Sequence, residues 1–158
     1  MTKQLTVGLV TTKTGVVLIN RAKPPYRGLW NGLGGKVEPG ETPREGMARE
    51  FHEECGLVLP SDVFKACGLV HWYVDGALLG DLFLFKAETS QELTLPMQTR
   101  EGIVAAMDPA WLTASDNLGL VPDLGAMLPY FEAGSSVTTL RSDFEGERFL
   151  GLKAVSDD

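Results

Sequence analysis

Three glutamates, Glu50, Glu53 and Glu54, lie close together in a segment whose residue pattern is typical of a helix. Helix positions i, i+3 and i+4 share one face, so these carboxylates should lie side by side and repel one another. A hard divalent cation such as Mg²⁺ prefers oxygen ligands and would relieve that repulsion. The spacing therefore predicts a cation site, and the alternative is an acidic helix face in solvent.

The helix that must carry these glutamates has start and stop signals. Thr42 and Glu45 form a capping-box pattern, and Pro43 falls at the first turn, where a missing N–H has little cost. Gly56 follows the last periodic residue, as is typical of a left-handed C-terminal cap. We therefore expect a helix from Thr42 or Pro43 to about Cys55. Its apolar face should consist of Met47, Ala48, Phe51 and Cys55.

The segment from Gly35 to Leu57 is similar to the Nudix box. The pattern Gly35-x5-Glu41-x7-Arg49-Glu50-Phe51-x-Glu53-Glu54-x-Gly56-Leu57 matches every specified position of that motif. The run WNGLGGKVEPGET resembles the corresponding segment of the MutT-type enzymes, above all the animal-type 8-oxo-dGTP diphosphatases. The chain is thus identified as similar to the Nudix hydrolase family.

This resemblance implies a fold and a reaction. The expected fold class is α+β, a Nudix α/β/α sandwich with a mixed β-sheet between helices, forming a single domain over residues 1–158. The expected reaction is hydrolysis of a nucleoside triphosphate to a monophosphate and pyrophosphate with Mg²⁺ or Mn²⁺, on a purine substrate such as 8-oxo-dGTP. Two alternatives stay open: hydrolysis of dinucleoside polyphosphates or nucleotide sugars, and a non-catalytic nucleotide-sensing module.

The resemblance also implies roles at the predicted metal site. Glu50 and Glu54 are expected to be the main metal ligands, while Arg49 orients the glutamates and pairs with Glu41. Which glutamate accepts the proton of the attacking water cannot be deduced from spacing. The predicted catalytic residues are Glu41, Arg49, Glu50, Glu53 and Glu54, and the predicted metal ligands are the Gly35 carbonyl, Glu50, Glu53, Glu54 and Glu101.

Three predicted substrate contacts precede the helix. In the animal-type branch the Asn after Trp binds the purine edge, which assigns that role to Asn31; a turn-capping Asn is the alternative. Arg21 and Lys36 are candidates for binding phosphates, and each could instead be a solvated cation. Glu101 could likewise be a loop carboxylate in water.

A fourth predicted contact, Asp123, lies in a segment similar to the Trp-Pro-Asp-Asp segment with which the animal-type enzymes read the purine. Here Val121 replaces the stacking Trp and Leu124 replaces the second Asp. Asp123 could equally be a plain helix cap. The departures weaken the prediction of an oxidised-base substrate.

Composition narrows the possible partners. The 158 residues carry a formal net charge of −7, which disfavours a protein that binds polymeric nucleic acid through its phosphates. No apolar run is long enough to span a bilayer and the first residues lack a secretory pattern, so we expect a cytoplasmic protein that binds a small nucleotide, as monomer or homodimer. Cys55 and Cys67 should be buried, reduced and inert, and His71 should be a structural histidine.

The remaining segments predict the elements around this helix. Strands are expected at residues 5–10 and 16–20, at 64–74 and 78–86 as a hairpin around Asp75-Gly76, and at 103–107. A short helix should follow Asp108, and a longer one should run from 122 or 123 to 131. Residues 136–158 should form a terminal hairpin around Glu145-Gly146 with a short disordered end.

Overall fold

The computed structural model describes residues 2–92, 96–132 and 137–155. Within these ranges nine strands form one mixed sheet: β1 Lys3–Thr12, β2 Gly15–Arg21, β3 Trp30–Gly32, β4 Lys65–Val74, β5 Ala77–Glu88, β6 Met97–Gln98, β7 Gly102–Met107, β8 Thr138–Glu145 and β9 Arg148–Ala154. The helices are α1 Pro43–Cys55, α2 Pro109–Leu112 and α3 Leu124–Glu132, and a 3-10 turn covers Ser61–Val63.

The strand order is β6-β7-β2-β1-β5-β4-β8-β9, with β3 paired to β2. β1 runs parallel to β5 and β4 runs parallel to β8, while the other neighbouring pairs are antiparallel. The two hairpins predicted around Asp75-Gly76 and Glu145-Gly146 form β4–β5 and β8–β9. The parallel β4–β8 pair therefore joins the C-terminal hairpin to the same sheet.

Two apolar clusters cover opposite faces of this sheet. On one face α1 packs Met47, Phe51 and Cys55 against strand residues that include Val10 and Val17. On the other face α2 and α3 pack against strand residues that include Leu18 and Leu84; the helix residues are Leu112, Leu124, Met127 and Phe131. The expected α/β/α sandwich is thus confirmed.

Helix α1 has the predicted caps. Thr42 Oγ1 accepts the amide of Glu45 at 3.1 Å, and Glu45 Oε1 accepts the amide of Thr42 at 2.8 Å. Gly56 ends the helix at φ 85°, in the left-handed region that favours glycine. Of the helices in the described ranges, α1 is the longest at 13 residues, and none there is long and apolar enough to cross a membrane.

Two short strands and one helix boundary differ from the sequence prediction. The glycine-rich run after Leu29 forms β3, which lies beside β2, and its continuation bridges to β1 through Gly8↔Leu33 and Leu5↔Lys36. β6, Met97–Gln98, lies in a stretch for which the sequence analysis predicted no strand. Helix α3 begins at Leu124, one residue after Asp123, and the carbonyl of Asp123 accepts the amide of Met127 at 3.1 Å.

The loop between β2 and β3 is tied to the C-terminal hairpin. The hydroxyl of Tyr26 donates to the carbonyl of Glu147 at 2.8 Å, although 121 residues separate the two. Tyr26 has φ 64°, a conformation that is uncommon for a bulky residue and that this contact helps to hold. The predicted disordered end, residues 156–158, lies outside the described residues.

Candidate active site

Arg49 connects the charged residues of α1 to the loop that precedes it. Its guanidinium donates to both oxygens of Glu41, at 2.7 and 3.1 Å, to Glu50 Oε1 at 3.0 Å and to the carbonyl of Lys36 at 2.9 Å. The hydrogen bonds from Arg49 lower the pKa of Glu41, and those to Glu41 raise the pKa of Arg49. This planar fork holds Glu50 in one orientation, which supports the orienting role predicted for Arg49.

Two further carboxylates surround the same guanidinium at longer distances. Glu53 lies 3.3 Å from Arg49 Nη1 and Glu38 lies 3.7 Å from it, and both side chains are exposed. Glu38 is absent from the Nudix pattern, and its position in a Pro-Gly turn gave no signal of this contact. The cluster thus contains one carboxylate more than the sequence analysis predicted.

Glu54 is the buried member of the cluster. It is 9% exposed, and its Oε1 accepts the amide of Gly34 at 2.9 Å. Burial raises the pKa of Glu54 to about 8, with further increases from the charges of Glu50, Glu101 and Glu53. Burial also raises the pKa of Glu50, despite its hydrogen bond to Arg49. Two adjacent carboxylates therefore occupy a site that disfavours their negative charge.

The donor chemistry of this site fits a hard divalent cation. The donors are carboxylate oxygens, and the buried charge of Glu54 is one that a cation would neutralise. As the side chains stand, no three Asp, Glu, His or Cys residues in the described part of the chain converge closely enough to share a metal. Glu50 and Glu54 are the residues that would hold the cation, and the charges of Glu101 and Glu53 also act on Glu54.

Gly35 lies between Thr6 of β1 and the carboxylate of Glu50. Its carbonyl accepts the amide of Thr6 at 2.8 Å and lies 3.3 Å from the hydroxyl of Thr6, so it is engaged with β1. The metal-ligand role predicted for that carbonyl stays a prediction. A Cβ at Gly35 would lie 2.6 Å from the carboxyl carbon of Glu50. The absence of a side chain is what lets Glu50 approach, and Thr6 is a neighbour that the sequence analysis missed.

Glu101 lies in the turn before β7. Its carboxylate is 3.8 Å from Lys23 Nζ, and both side chains are exposed. It also contributes to the raised pKa of Glu54, so it lies within electrostatic range of the buried carboxylate. The structure thus brings Glu101 towards the cluster, and its predicted ligand role stays a prediction.

The three predicted contacts near β3 have mainly local partners. Asn31 Oδ1 accepts the amide of Gly32 at 2.9 Å, and Arg21 Nε donates to the carbonyl of Pro25 at 2.8 Å. Lys36 is exposed and contributes its carbonyl to Arg49. Their substrate roles stay predictions.

Asp123 lies within electrostatic range of Tyr26. Burial raises the pKa of Asp123 to about 6, and the charge of Asp123 contributes to the raised pKa of Tyr26, whose main cause is burial. The segment before Asp123 joins β3, since Trp30 donates to the carbonyl of Gly119 at 2.7 Å and accepts the amide of Val121 at 2.8 Å. Asn31 and Asp123 therefore belong to adjacent segments.

The two cysteines are buried and free. Burial raises the pKa of the Cys55 thiol to about 11 and also raises that of Cys67. Because the thiolate is the reactive form, both thiols should be unreactive near neutral pH, as the sequence analysis expected.

Comparison with known proteins identifies relatives of this chain. The family model described as NUDIX domain matches residues 2–131. An oxidized purine nucleoside triphosphate hydrolase of Danio rerio is 36% identical over 87 residues, which are 54% of this chain and 54% of that protein. An ADP-ribose pyrophosphatase of Methanocaldococcus jannaschii is 39% identical over 51 residues, 32% of this chain and 30% of that protein. This chain thus spans about half or less of the length of these relatives.

A solved structure shares the fold over nearly the whole chain. A mutator MutT protein from Bacillus halodurans superposes with a TM-score of 0.78, covering 96% of this chain and 97% of that one at 22% sequence identity. At this identity the likeness shows the fold alone.

Proposed function

Because the chain belongs to the NUDIX family, we propose that it is a divalent-cation-dependent hydrolase that splits a nucleoside triphosphate into a nucleoside monophosphate and pyrophosphate. The proposed substrate is a purine nucleotide such as 8-oxo-dGTP, and the role would then be sanitation of the nucleotide pool. The name of the Danio rerio relative, an oxidized purine nucleoside triphosphate hydrolase, supports this choice. The proposed cation is Mg²⁺, with Mn²⁺ as a substitute.

The observation that carries the proposal is the pair of adjacent carboxylates Glu50 and Glu54. One is fixed by Arg49 and the other is 9% exposed with its pKa raised to about 8. A helix stabilised by packing alone has no need for a buried carboxylate, whose burial costs free energy. A site that binds a cation together with an anionic phosphate explains that cost.

In this proposal the protein's own residues bind and orient. A bound cation would supply Lewis acidity that stabilises negative charge on the diphosphate. Arg49 fixes the position of Glu50, the amide of Gly34 fixes Glu54, and Glu41 fixes Arg49. The orientation is set before the substrate arrives, which lowers the reorganisation needed during the reaction.

The test is the variant Glu54→Gln measured with purine and pyrimidine nucleoside triphosphates in the presence of Mg²⁺. The variant keeps the shape of the side chain and its acceptor for the amide of Gly34, but removes the charge. We expect kcat to fall by about 10²-fold or more with thermal stability retained. Unchanged kcat would rule out the role of Glu54 in catalysis.

A second candidate function is hydrolysis of dinucleoside polyphosphates or nucleotide sugars. The replacement of the expected stacking Trp by Val121 favours it, and one relative is named ADP-ribose pyrophosphatase. A substrate panel ranked by kcat/KM separates the two enzymatic candidates, because the true substrate class should exceed the other by about tenfold or more. Absence of phosphate release from the whole panel would instead favour a non-catalytic nucleotide-sensing module.

A further inference from the structure

Thr6 is a buried polar residue in an otherwise apolar row of β1. It is 3% exposed, and it shares the α1 side of β1 with Gly8 and Val10. The residue opposite it on β5 is Phe83. Burying a hydroxyl among apolar neighbours costs free energy unless the hydroxyl is hydrogen-bonded. Packing alone therefore does not explain why a threonine is found at this position.

The hydrogen bonds of Thr6 go to both peptide groups of Gly35. The backbone amide of Thr6 donates to the carbonyl of Gly35 at 2.8 Å, and Thr6 Oγ1 accepts the amide of Gly35 at 3.2 Å. The first of these bonds needs only the backbone at position 6. The second needs a hydroxyl, so it depends on the side chain. The side chain of Thr6 thus orients the peptide group that joins Gly34 to Gly35.

The preceding peptide group carries the amide that binds Glu54. The amide of Gly34 donates to Glu54 Oε1 at 2.9 Å. Gly34 has φ 150° and lies against the carbonyl of Thr6, with which a Cβ on Gly34 would collide. Two consecutive glycines have few steric limits on their backbone angles, so hydrogen bonds have to select one conformation. The bond from Gly35 to Thr6 therefore helps to determine where the Gly34 amide points.

The same two-residue segment borders the other carboxylate of the proposed site. A Cβ on Gly35 would lie 2.6 Å from the carboxyl carbon of Glu50, so the backbone of Gly35 sets how closely Glu50 can approach. The hydroxyl of Thr6 is bonded to Gly35 and not to either carboxylate. Any effect of Thr6 on Glu50 and Glu54 thus passes through the Gly34–Gly35 segment.

We propose that Thr6 is a positioning residue for the proposed reaction. Its hydroxyl holds the Gly34–Gly35 segment so that the Gly34 amide meets Glu54 and so that Glu50 has room beside Gly35. This inference rests on the proposed function, since the two carboxylates are those that would hold the cation. Thr6 lies outside the Nudix box, which begins at Gly35, so the motif gives it no role.

The test compares Thr6→Val with Thr6→Ser. Valine has nearly the shape of threonine but no hydroxyl, whereas serine keeps the hydroxyl. With Mg²⁺ and the best nucleotide of the panel, we expect Thr6→Val to lower kcat by about tenfold and Thr6→Ser to stay within about twofold of the wild type. Thr6→Ala gives a second variant without the hydroxyl, and it should behave as Thr6→Val does.

The matched control is Thr12→Val. Thr12 lies on the same strand, is 7% exposed and donates its hydroxyl to the carbonyl of Gly15 at 3.0 Å. The variant loses a comparable buried hydrogen bond far from Glu50 and Glu54, so it should keep wild-type kcat. Thermal unfolding of each variant shows whether the fold is retained.

A second measurement needs neither cation nor turnover. It follows the exchange of backbone amides with deuterium by NMR in chelator. In Thr6→Val the amides of Gly34 and Gly35 should exchange about tenfold faster than in the wild type, or more. The amide of Gly56, which donates to the carbonyl of His52 at the end of α1, should keep its rate. This pattern would show that the glycine segment is released without unfolding of the helix.

Three results would overturn the positioning role. One is wild-type exchange of the Gly34 amide in Thr6→Val, and another is a loss of kcat in Thr6→Ser or Thr12→Val as large as that in Thr6→Val. The third is equal acceleration of exchange at Gly56, which would mean a general loss of stability. If the unmodified protein hydrolyses no nucleotide, the proposed function itself fails, and the exchange experiment still shows whether Thr6 fixes the segment.

Discussion

At the scale of single residues, Arg49 makes a set of hydrogen bonds that a lysine could not make. It makes two hydrogen bonds to Glu41, one to Glu50 and one to the carbonyl of Lys36, and the four together use the geometry of a planar fork. A lysine ammonium could replace one or two of these bonds. The orientation of Glu50 would then be lost even though the charge is kept.

We therefore expect Arg49→Lys to lower kcat/KM by about 10- to 100-fold in steady-state assays on the best substrate of the panel. The matched control is Arg44→Lys, a change at an exposed position of the same helix that should leave kcat/KM unaltered. Equal activity of the two variants would mean that Arg49 contributes charge alone.

Helix spacing allowed the shared face of the three glutamates to be predicted, whereas the Arg49–Glu41 pair was implied by the resemblance to the Nudix box. It did not allow the burial of Glu54 to be predicted. That burial depends on the segment after β3, which brings the amide of Gly34 to the carboxylate. The angular position of a residue on a helix does not show which neighbouring segment will cover its side chain.

At the scale of elements, Gly35 shows how closely the loop after β3 approaches α1. A methyl group there would lie 2.6 to 2.7 Å from the carboxyl atoms of Glu50, well inside van der Waals contact. The backbone of Gly35 is fixed by Thr6 on β1, so Glu50 is the group that has to move. This displacement should break the hydrogen bond between Arg49 and Glu50.

Gly35→Ala should thus lower kcat by about tenfold or more while lowering the melting temperature only slightly. Gly125→Ala is the comparison, because Gly125 lies in α3 with open space around its Cα and a Cβ there meets nothing within 4 Å. It should keep full kcat and gain up to about 1 kcal/mol of stability from helix propensity. Wild-type kcat in Gly35→Ala would show that Glu50 tolerates displacement.

The helices and hairpins whose ends carry local sequence signals, such as caps and turn residues, could be predicted from the sequence. The capping box and Gly56 fixed both ends of α1, and the Asp75-Gly76 turn fixed the β4–β5 hairpin. β3 and β6 have three and two residues and form only because β2 and β7 lie beside them. Strands of that length have too few residues to show an alternating pattern.

At the scale of the whole molecule, the raised pKa of Glu54 makes stability depend on pH. Its pKa is about 8 in the folded protein and near 4.5 in its ordinary state, so the folded protein keeps a proton that the unfolded chain has released. The stability from Glu54 is therefore fully present below pH 4.5 and is lost as the pH rises towards 8. In chelator, we expect this contribution to the free energy of unfolding to fall by the order of 3 kcal/mol across that range.

Denaturant unfolding at several pH values in chelator measures this slope. For Glu54→Gln, the free energy of unfolding should depend less on pH between 5 and 8 than for the wild type. The raised pKa of Asp123 acts in the same direction in both proteins, so the difference between the two slopes reports Glu54 alone. At pH 8, Mg²⁺ at 100 times its Kd should raise the free energy of unfolding of the wild type by about 2.7 kcal/mol and that of the variant by less. Parallel curves for the two proteins would contradict the assignment.

The order of strands was beyond prediction from local pattern. The parallel pairs β1–β5 and β4–β8 join segments far apart in the chain, and nothing in either strand specifies its partner. The resemblance to the Nudix box supplied the layer order.

The contact between Tyr26 and Glu147 makes the ordering of one part of the chain depend on the docking of another. The loop at Tyr26 is held by a hydrogen bond to the C-terminal hairpin, 121 residues away in the chain. This loop therefore cannot become ordered until that hairpin has docked on β4. Any transient detachment of the hairpin would also release the loop. Amide protons of the two segments should therefore exchange with deuterium as one cooperative unit.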